Sequence, residues 1–256
     1  MNFDRDIYFP LVRKRPFGGS LSQKQVDGQN AILARWELGP GLINEDPRHI
    51  AFALATTFHE TSKTMQPIEE YGKGSGMKYG KPDPETKQVY YGRGFVQLTW
   101  RENYARATQE LGLVGEDDLE WHAARALDPE IAAVVMFRGM SEGWFRTGND
   151  GKPETLKKYF SELRDDPYNA REIINGDKHV VPTWSNGVSI GKLIAGYHSD
   201  FLAALVASAV EGAPEPQPVP EPVPEPEPPS EVAIAITIRI EAPPGVVVRV
   251  EQVEAN

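Results

Sequence analysis

Up to about residue 213 the apolar positions recur at helical spacing. Ser20 followed by Gln23 resembles a capping box, leading into Val26, Ile32, Leu33 and Trp36. Asp46-Pro47 pairs a cap with a first-turn proline, and Ile50, Leu54 and Phe58 then recur every four residues until Pro67 ends the element. A third helix is predicted from near Thr99. A fourth follows Asp128-Pro129-Glu130 and carries Ile131, Val134, Val135 and Met136. Tyr168 to Ile174 reads as helix stopped at Asn175-Gly176, and Ile190, Leu193, Ile194, Tyr197, Phe201 and Leu205 form a last amphipathic stripe. Strand signals are few here, so the predicted class is mainly α.

The pattern then changes twice. Between Pro214 and Pro229 proline takes nearly every second position, which starves the backbone of donors. The spacing predicts an acidic polyproline II spacer over 214–230, extending roughly 3.1 Å per residue. From 231 to 256 the period becomes two: Val232, Ile234, Ile236, Ile238 and Ile240 alternate with smaller or polar residues. Pro243-Pro244-Gly245 turns the chain, and Val246, Val248 and Val250 alternate back. An isolated two-stranded hairpin is marginal in water. This module is therefore expected to pair with its own copies, making a homo-oligomer, or to bind a wall or partner. The expected organisation is a helical catalytic-sized domain over 1–213, the spacer, and the hairpin.

Composition narrows the classes. The formal net charge is −10, leaving no cationic surplus for phosphates, so no nucleic-acid partner is expected. Val12-Arg13-Lys14-Arg15 reads as a solvated segment. With no cysteine in 256 residues, disulfides, thiolate metal sites and a thiol nucleophile are excluded. No run of about 20 apolar residues is present to insert in a membrane, and Met1 to Asp6 has no signal-like apolar run. The expectation is a protein held in the cytoplasm until it is released.

Candidate chemistry begins with the carboxylates. Glu60 ends the Asp46-capped helix, facing the negative end of its dipole with Phe58 beside it, and both features suit a group that must carry a proton. Glu69 and Glu70 follow the Pro67 break. In an unbroken helix nine positions would separate Glu60 and Glu69 by about 13 Å; with the break, the roughly 6.5–9.5 Å carboxyl separation of an inverting glycosidase comes within reach. Tyr90-Tyr91-Gly92-Arg93-Gly94-Phe95-Val96-Gln97-Leu98-Thr99-Trp100, with Asn103-Tyr104, combines aromatics, amides and a hydroxyl. Such a set suits a sugar-binding wall, with Gly92 and Gly94 permitting close backbone approach to a ligand. Other patterns lack required parts. Lys63 stands where a zinc-protease helix needs its second histidine. Gly72 to Gly76 lacks phosphate-loop spacing and reads as a mobile loop flanking the cleft. His49, His122, His179 and His198 have no ligand-like spacing, so no metal or organic cofactor is expected.

Taken in order, His59-Glu60-Thr61, Glu69, Tyr91-Gly92-Arg93-Gly94, Gln97-Leu98-Thr99, Asn103-Tyr104 and Ile173-Ile174-Asn175-Gly176 resemble the family 19 glycoside hydrolases, the chitinases and phage-type endolysins. The resemblance spans roughly residues 20 to 205. It implies a mainly α, lysozyme-like two-lobed domain with a central cleft and single-displacement inversion. By this likeness Glu60 is the general acid and Glu69 the general base, with Glu70 the competing candidate. Thr99 stands where the family usually has a serine that places the water. Gln97, Asn103 and Asn175 would contact substrate, Tyr91 would be a cleft aromatic, and His59 and Arg93 would hold the carboxylates. Asp177 departs from the family's usual glycine. The stretch between the two glutamates is short, as in lysis enzymes. The expected activity is cleavage of β-1,4 bonds in peptidoglycan. Chitin is the alternative substrate, and an inactive sugar-binding or scaffold protein is the alternative of another class.

Overall fold

The structure, a computed structural model, describes residues 1–38 and 46–210. The spacer expected at 214–230, the hairpin expected at 231–256 and the assembly expected through it lie outside the described residues.

Helix α3 (Pro47–Glu60) organises the rest. The Asp46 side chain accepts from the Arg48 amide at 2.9 Å, and Pro47 occupies the first turn, as the sequence predicts. The expected one-sided stripe is instead buried all round, from His49 through Phe58. A helix apolar on every face belongs inside the core, and α8 (Ile190–Ser208) packs along it. The helix stops at Glu60, well before Pro67. Thr61 Oγ1 turns back onto the Thr57 carbonyl at 2.7 Å, and Ser62, Lys63 and Met65 adopt left-handed backbone. Proline is therefore not what ends this element.

Other predicted elements shift. The capping box of α2 (Gln23–Glu37) is Ser22 with Gln25, two residues beyond the Ser20–Gln23 reading, and both of its reciprocal bonds are made. The basic segment is solvated as expected, with Arg13, Lys14 and Arg15 exposed, and it forms the last turn of α1 (Arg5–Lys14), capped by Asp4, where Arg13 and Lys14 meet the negative helix end. Helix α4 (Arg101–Leu111) begins just after Thr99, and Asp128 caps α5 (Pro129–Glu142) as expected. After α6 (Leu156–Tyr159), the predicted helix at 168–174 divides into α7 (Pro167–Ala170) and a 3-10 turn over Arg171–Ile173.

The strands are two residues each: β1 (Asn2–Phe3) with β6 (Ala209–Val210), β2 (Ile68–Glu69) with β3 (Arg93–Gly94), and β4 (Phe160–Ser161) with β5 (Arg164–Asp165), all antiparallel. Two apolar cores form. The larger gathers α1, α2, α3 and α8 around Phe52, Phe58, Phe137 and Phe201. The smaller holds Tyr90, Leu98, Tyr104, Leu119 and Trp144. No helix among the described residues is long and apolar enough to cross a membrane.

Candidate active site

A cleft of about 330 Å3 is lined by residues from both cores, with Val96 from the larger and Leu98 from the smaller. Of the residues expected to act, Glu60, Gln97, Thr99, Asn103 and Asn175 line it, together with Glu70, Tyr79 and Trp100. Segments more than 100 residues apart in sequence thus converge on one hollow.

Glu60 reaches the cleft because α3 ends there. Its carboxylate is gripped by the Arg171 guanidinium, which is 2% exposed. The same guanidinium forms a fork with Asp177, Nε to Oδ1 at 2.7 Å and Nη2 to Oδ2 at 3.0 Å. Asp177 is part-buried, which alone would raise its proton affinity. Its hydrogen bonds from Arg171 prevail and hold it below the usual carboxylate range. Asn175 Nδ2 donates to Asp177 Oδ2 at 3.1 Å, tying this predicted contact residue to the same group. The departure at position 177 is therefore a structural partner of Arg171, the group that holds Glu60. The sequence offers Glu60 a helix end, Phe58 and, through the family likeness, His59 and Arg93 as holders; the group that holds it is instead Arg171, which nothing local marks.

The two glutamates after the break face different ways, for a reason set by strand register. Glu69 pairs opposite Arg93 across β2 and β3. Residues directly opposite share a face, while neighbours along a strand alternate. Glu69 accordingly turns toward Arg93, whose Nε lies 3.7 Å from its Oε1, and is hydrogen-bonded by the Tyr91 hydroxyl and by Lys73 Nζ at 2.8 Å. The bonds from Lys73 and then Tyr91 hold Glu69 below the usual carboxylate range, so it is ionised at neutral pH. Glu70 takes the other direction and lines the cleft. Its Oε1 accepts from the Tyr79 hydroxyl at 3.3 Å and its Oε2 from the Gly92 amide at 3.2 Å. Glu69 is not among the residues lining the cleft.

Tyr91 and Arg93 sit behind the wall. Tyr91 is 7% exposed, and the Arg93 guanidinium stacks 3.7 Å from its ring centroid while donating to the Val89 carbonyl at 2.8 Å. Tyr91 is thus a buried support rather than a cleft aromatic. The open aromatic surface is supplied by Trp100, 44% exposed, which meets Tyr79 edge-on at 5.0 Å. Its backbone has φ of 76°, a costly left-handed position for a bulky residue, and Gln97 has φ of 56°. Gln97 Nε2 donates to the Ile68 carbonyl at 3.1 Å, Thr99 Oγ1 donates to the Gln97 carbonyl at 2.7 Å, and Asn103 Nδ2 donates to the Thr99 carbonyl at 2.8 Å. Gly92 lines the cleft, and both glycines are also held small by their neighbours. A Cβ on Gly92 would press on Gln97 Oε1 at 2.9 Å, and one on Gly94 on the Ala126 carbonyl at 2.9 Å. His59 does not line the cleft. It is half-buried, burial lowers its proton affinity, and its ring lies 6.5 Å from Trp184 on the rim of a separate pocket.

No protein-family model matches the sequence, and no curated protein matches it. Among solved structures the chain is similar to a mutant of chitinase C, with a TM-score of 0.49 at 18% identity over 81% of this chain and 79% of that one. It is also similar to chitinase C from Streptomyces griseus HUT6037, with a TM-score of 0.46 at 21% identity over 80% and 93%.

Proposed function

We propose that the protein is an inverting glycoside hydrolase acting on an N-acetylglucosamine-containing wall polymer, with peptidoglycan as substrate and Glu60 as general acid. The observation that carries this reading is the Glu60 carboxylate, fixed by buried Arg171 and opening into a cleft with Thr99, Gln97, Asn103 and Asn175. Glu60 protonates the glycosidic oxygen as the bond breaks, and a second, ionised carboxylate takes a proton from the attacking water. Thr99 spends its hydroxyl proton on the Gln97 carbonyl, which leaves oxygen lone pairs to accept from that water and orient it. Amides of the Gln97 and Asn103 kind match an N-acetyl group, and the Trp100 face suits a pyranose ring.

Glu69, in the motif register and already ionised through Lys73 and Tyr91, is proposed as the base. One observation favours a second assignment, because Glu70 is the glutamate that lines the cleft with Glu60.

The test is hydrolysis of peptidoglycan sacculi and of soluble chitin oligomers, with product masses and the anomer of the new reducing end read out. Muropeptides released as the inverted anomer, and their loss in Glu60→Gln, support the reading. Chitin cleavage alone makes the protein a chitinase. Products from neither substrate leave a sugar-binding protein.

A further inference from the structure

A second pocket, of about 260 Å3, opens where α3 ends and is lined by Phe58, His59, Ser62, Lys63, Trp184 and Tyr197. It is smaller than a drug-sized ligand fills, and suits one sugar ring or its substituent. Trp184 is 61% exposed. Lys63 places Nζ 5.6 Å from the centroid of the Phe58 ring, at the pocket wall. Among the described residues this ammonium has no carboxylate partner. Nor do the side chains of His59, Trp184 and Tyr197 hydrogen-bond to protein there. The pocket therefore combines an aromatic face with unspent donors and one unpaired cation.

The backbone beneath it is strained in the same place. Helices commonly close with a left-handed glycine. Here Ser62 at φ of 50° and Lys63 at φ of 69° take those positions, with the Lys63 amide donating to the Phe58 carbonyl at 2.8 Å. Side chains held where glycine fits without cost point to a use for them, since strain persists where surrounding structure enforces it and clusters at binding sites. His59 and Glu60 are consecutive residues, so this pocket begins one residue from the proposed acid.

We infer that this pocket takes an N-acetylhexosamine unit bearing a carboxylate substituent, its ring against Trp184 and its carboxylate on Lys63, along the same polymer strand that Glu60 cuts. The inference rests on the Glu60 reading for its place on the strand, and it selects an acidic amino-sugar polymer over neutral chitin.

Binding tests it independently of cleavage. The full-length chain carrying Glu60→Gln is titrated by calorimetry with chitotetraose and with a tetrasaccharide of the same length whose alternate units carry a lactyl carboxylate. The acidic sugar should bind roughly ten-fold more tightly, as one charge-assisted contact allows, and the preference should shrink as salt rises. Adding Lys63→Gly should bring the two affinities together while raising the melting temperature, because glycine relieves the left-handed strain. A residue with a merely structural role would lower it. Trp184→Ala should weaken the acidic sugar as well. Equal affinities in the starting chain, or a preference that survives Lys63→Gly, would overturn the inference. Loss of hydrolysis on Glu60→Gln is read separately, in the chain with an intact pocket, so failure of one reading is told from failure of the other.

Discussion

Arg171 and Glu60 meet across 111 residues of sequence, and the guanidinium that grips the carboxylate is almost wholly buried. This contact joins the end of α3 to the 3-10 turn after α7 and gives the proposed acid a fixed direction. Because Arg171 also forks onto Asp177, removing it strands two carboxylates at once. Arg171→Met should therefore destabilise the protein by about 3–5 kcal/mol, the usual cost of breaking a buried ion pair on one side, as well as abolish hydrolysis. Denaturant melts of the variant check the first effect. A loss below about 1 kcal/mol would place the pair among weak surface contacts.

Glu69 and Glu70 are consecutive residues whose carboxylates face opposite ways. If Glu69 is the base, Glu69→Gln should lower kcat by about 10^2-fold or more, and Glu70→Gln by less than about ten-fold. The opposite order would assign the base to the cleft-lining Glu70. Comparing both variants on the same substrate decides the matter, since each keeps the volume and removes only the charge.

Thr99 offers a cleaner test of water placement. Thr99→Ser retains the hydroxyl and should keep kcat within a few-fold. Thr99→Val keeps the shape but leaves the Gln97 carbonyl without its donor, and should lower kcat by roughly ten-fold with little change in KM. Equal kcat values for the two variants would remove Thr99 from the reaction.

What could be read from the chain was local. Asp46-Pro47 and Asp128-Pro129 carry their helix starts in two adjacent residues, and both are made as predicted. The Ser22–Gln25 box is hard to place from the sequence because Ser20 offers the same residue type three positions before a glutamine. Helix α1 is hidden in the sequence because Pro10 lies inside it and its last turn is a solvated run of charges. Gln97, Thr99 and Asn103 are legible because they sit within a few residues of one another, whereas Asn175 is marked only by the family likeness. Arg171 and the opposed facings of Glu69 and Glu70 are not legible, since the first depends on a distant contact and the second on which residue pairs with Arg93. Trp184 and Lys63 likewise become neighbours only when the chain folds.

Two buried histidines make stability depend on pH. His198 stacks on Phe160 at 5.3 Å and His49 meets the same ring at 5.9 Å, while His198 Nε2 and both ring nitrogens of His49 lack hydrogen-bond partners. Burial pushes His198 down to about 4 from an ordinary 6.5, and lowers His49 too, against the opposing pull of Asp46 on both and of Asp165 on His198. The unfolded chain takes up these protons as pH falls through about 6.5, whereas folded His198 stays neutral until about 4. Between those values the unfolded state binds more protons, so stability is full above the window and declines as pH drops through it. The shift at His198 corresponds to about 3 kcal/mol lost by the bottom of the window. His198→Phe keeps a ring against Phe160 and removes the titration. Its melting temperature should fall less than that of the parent between pH 6.5 and pH 4. Melting curves that decline in parallel would show that other groups, not His198, set the acid sensitivity.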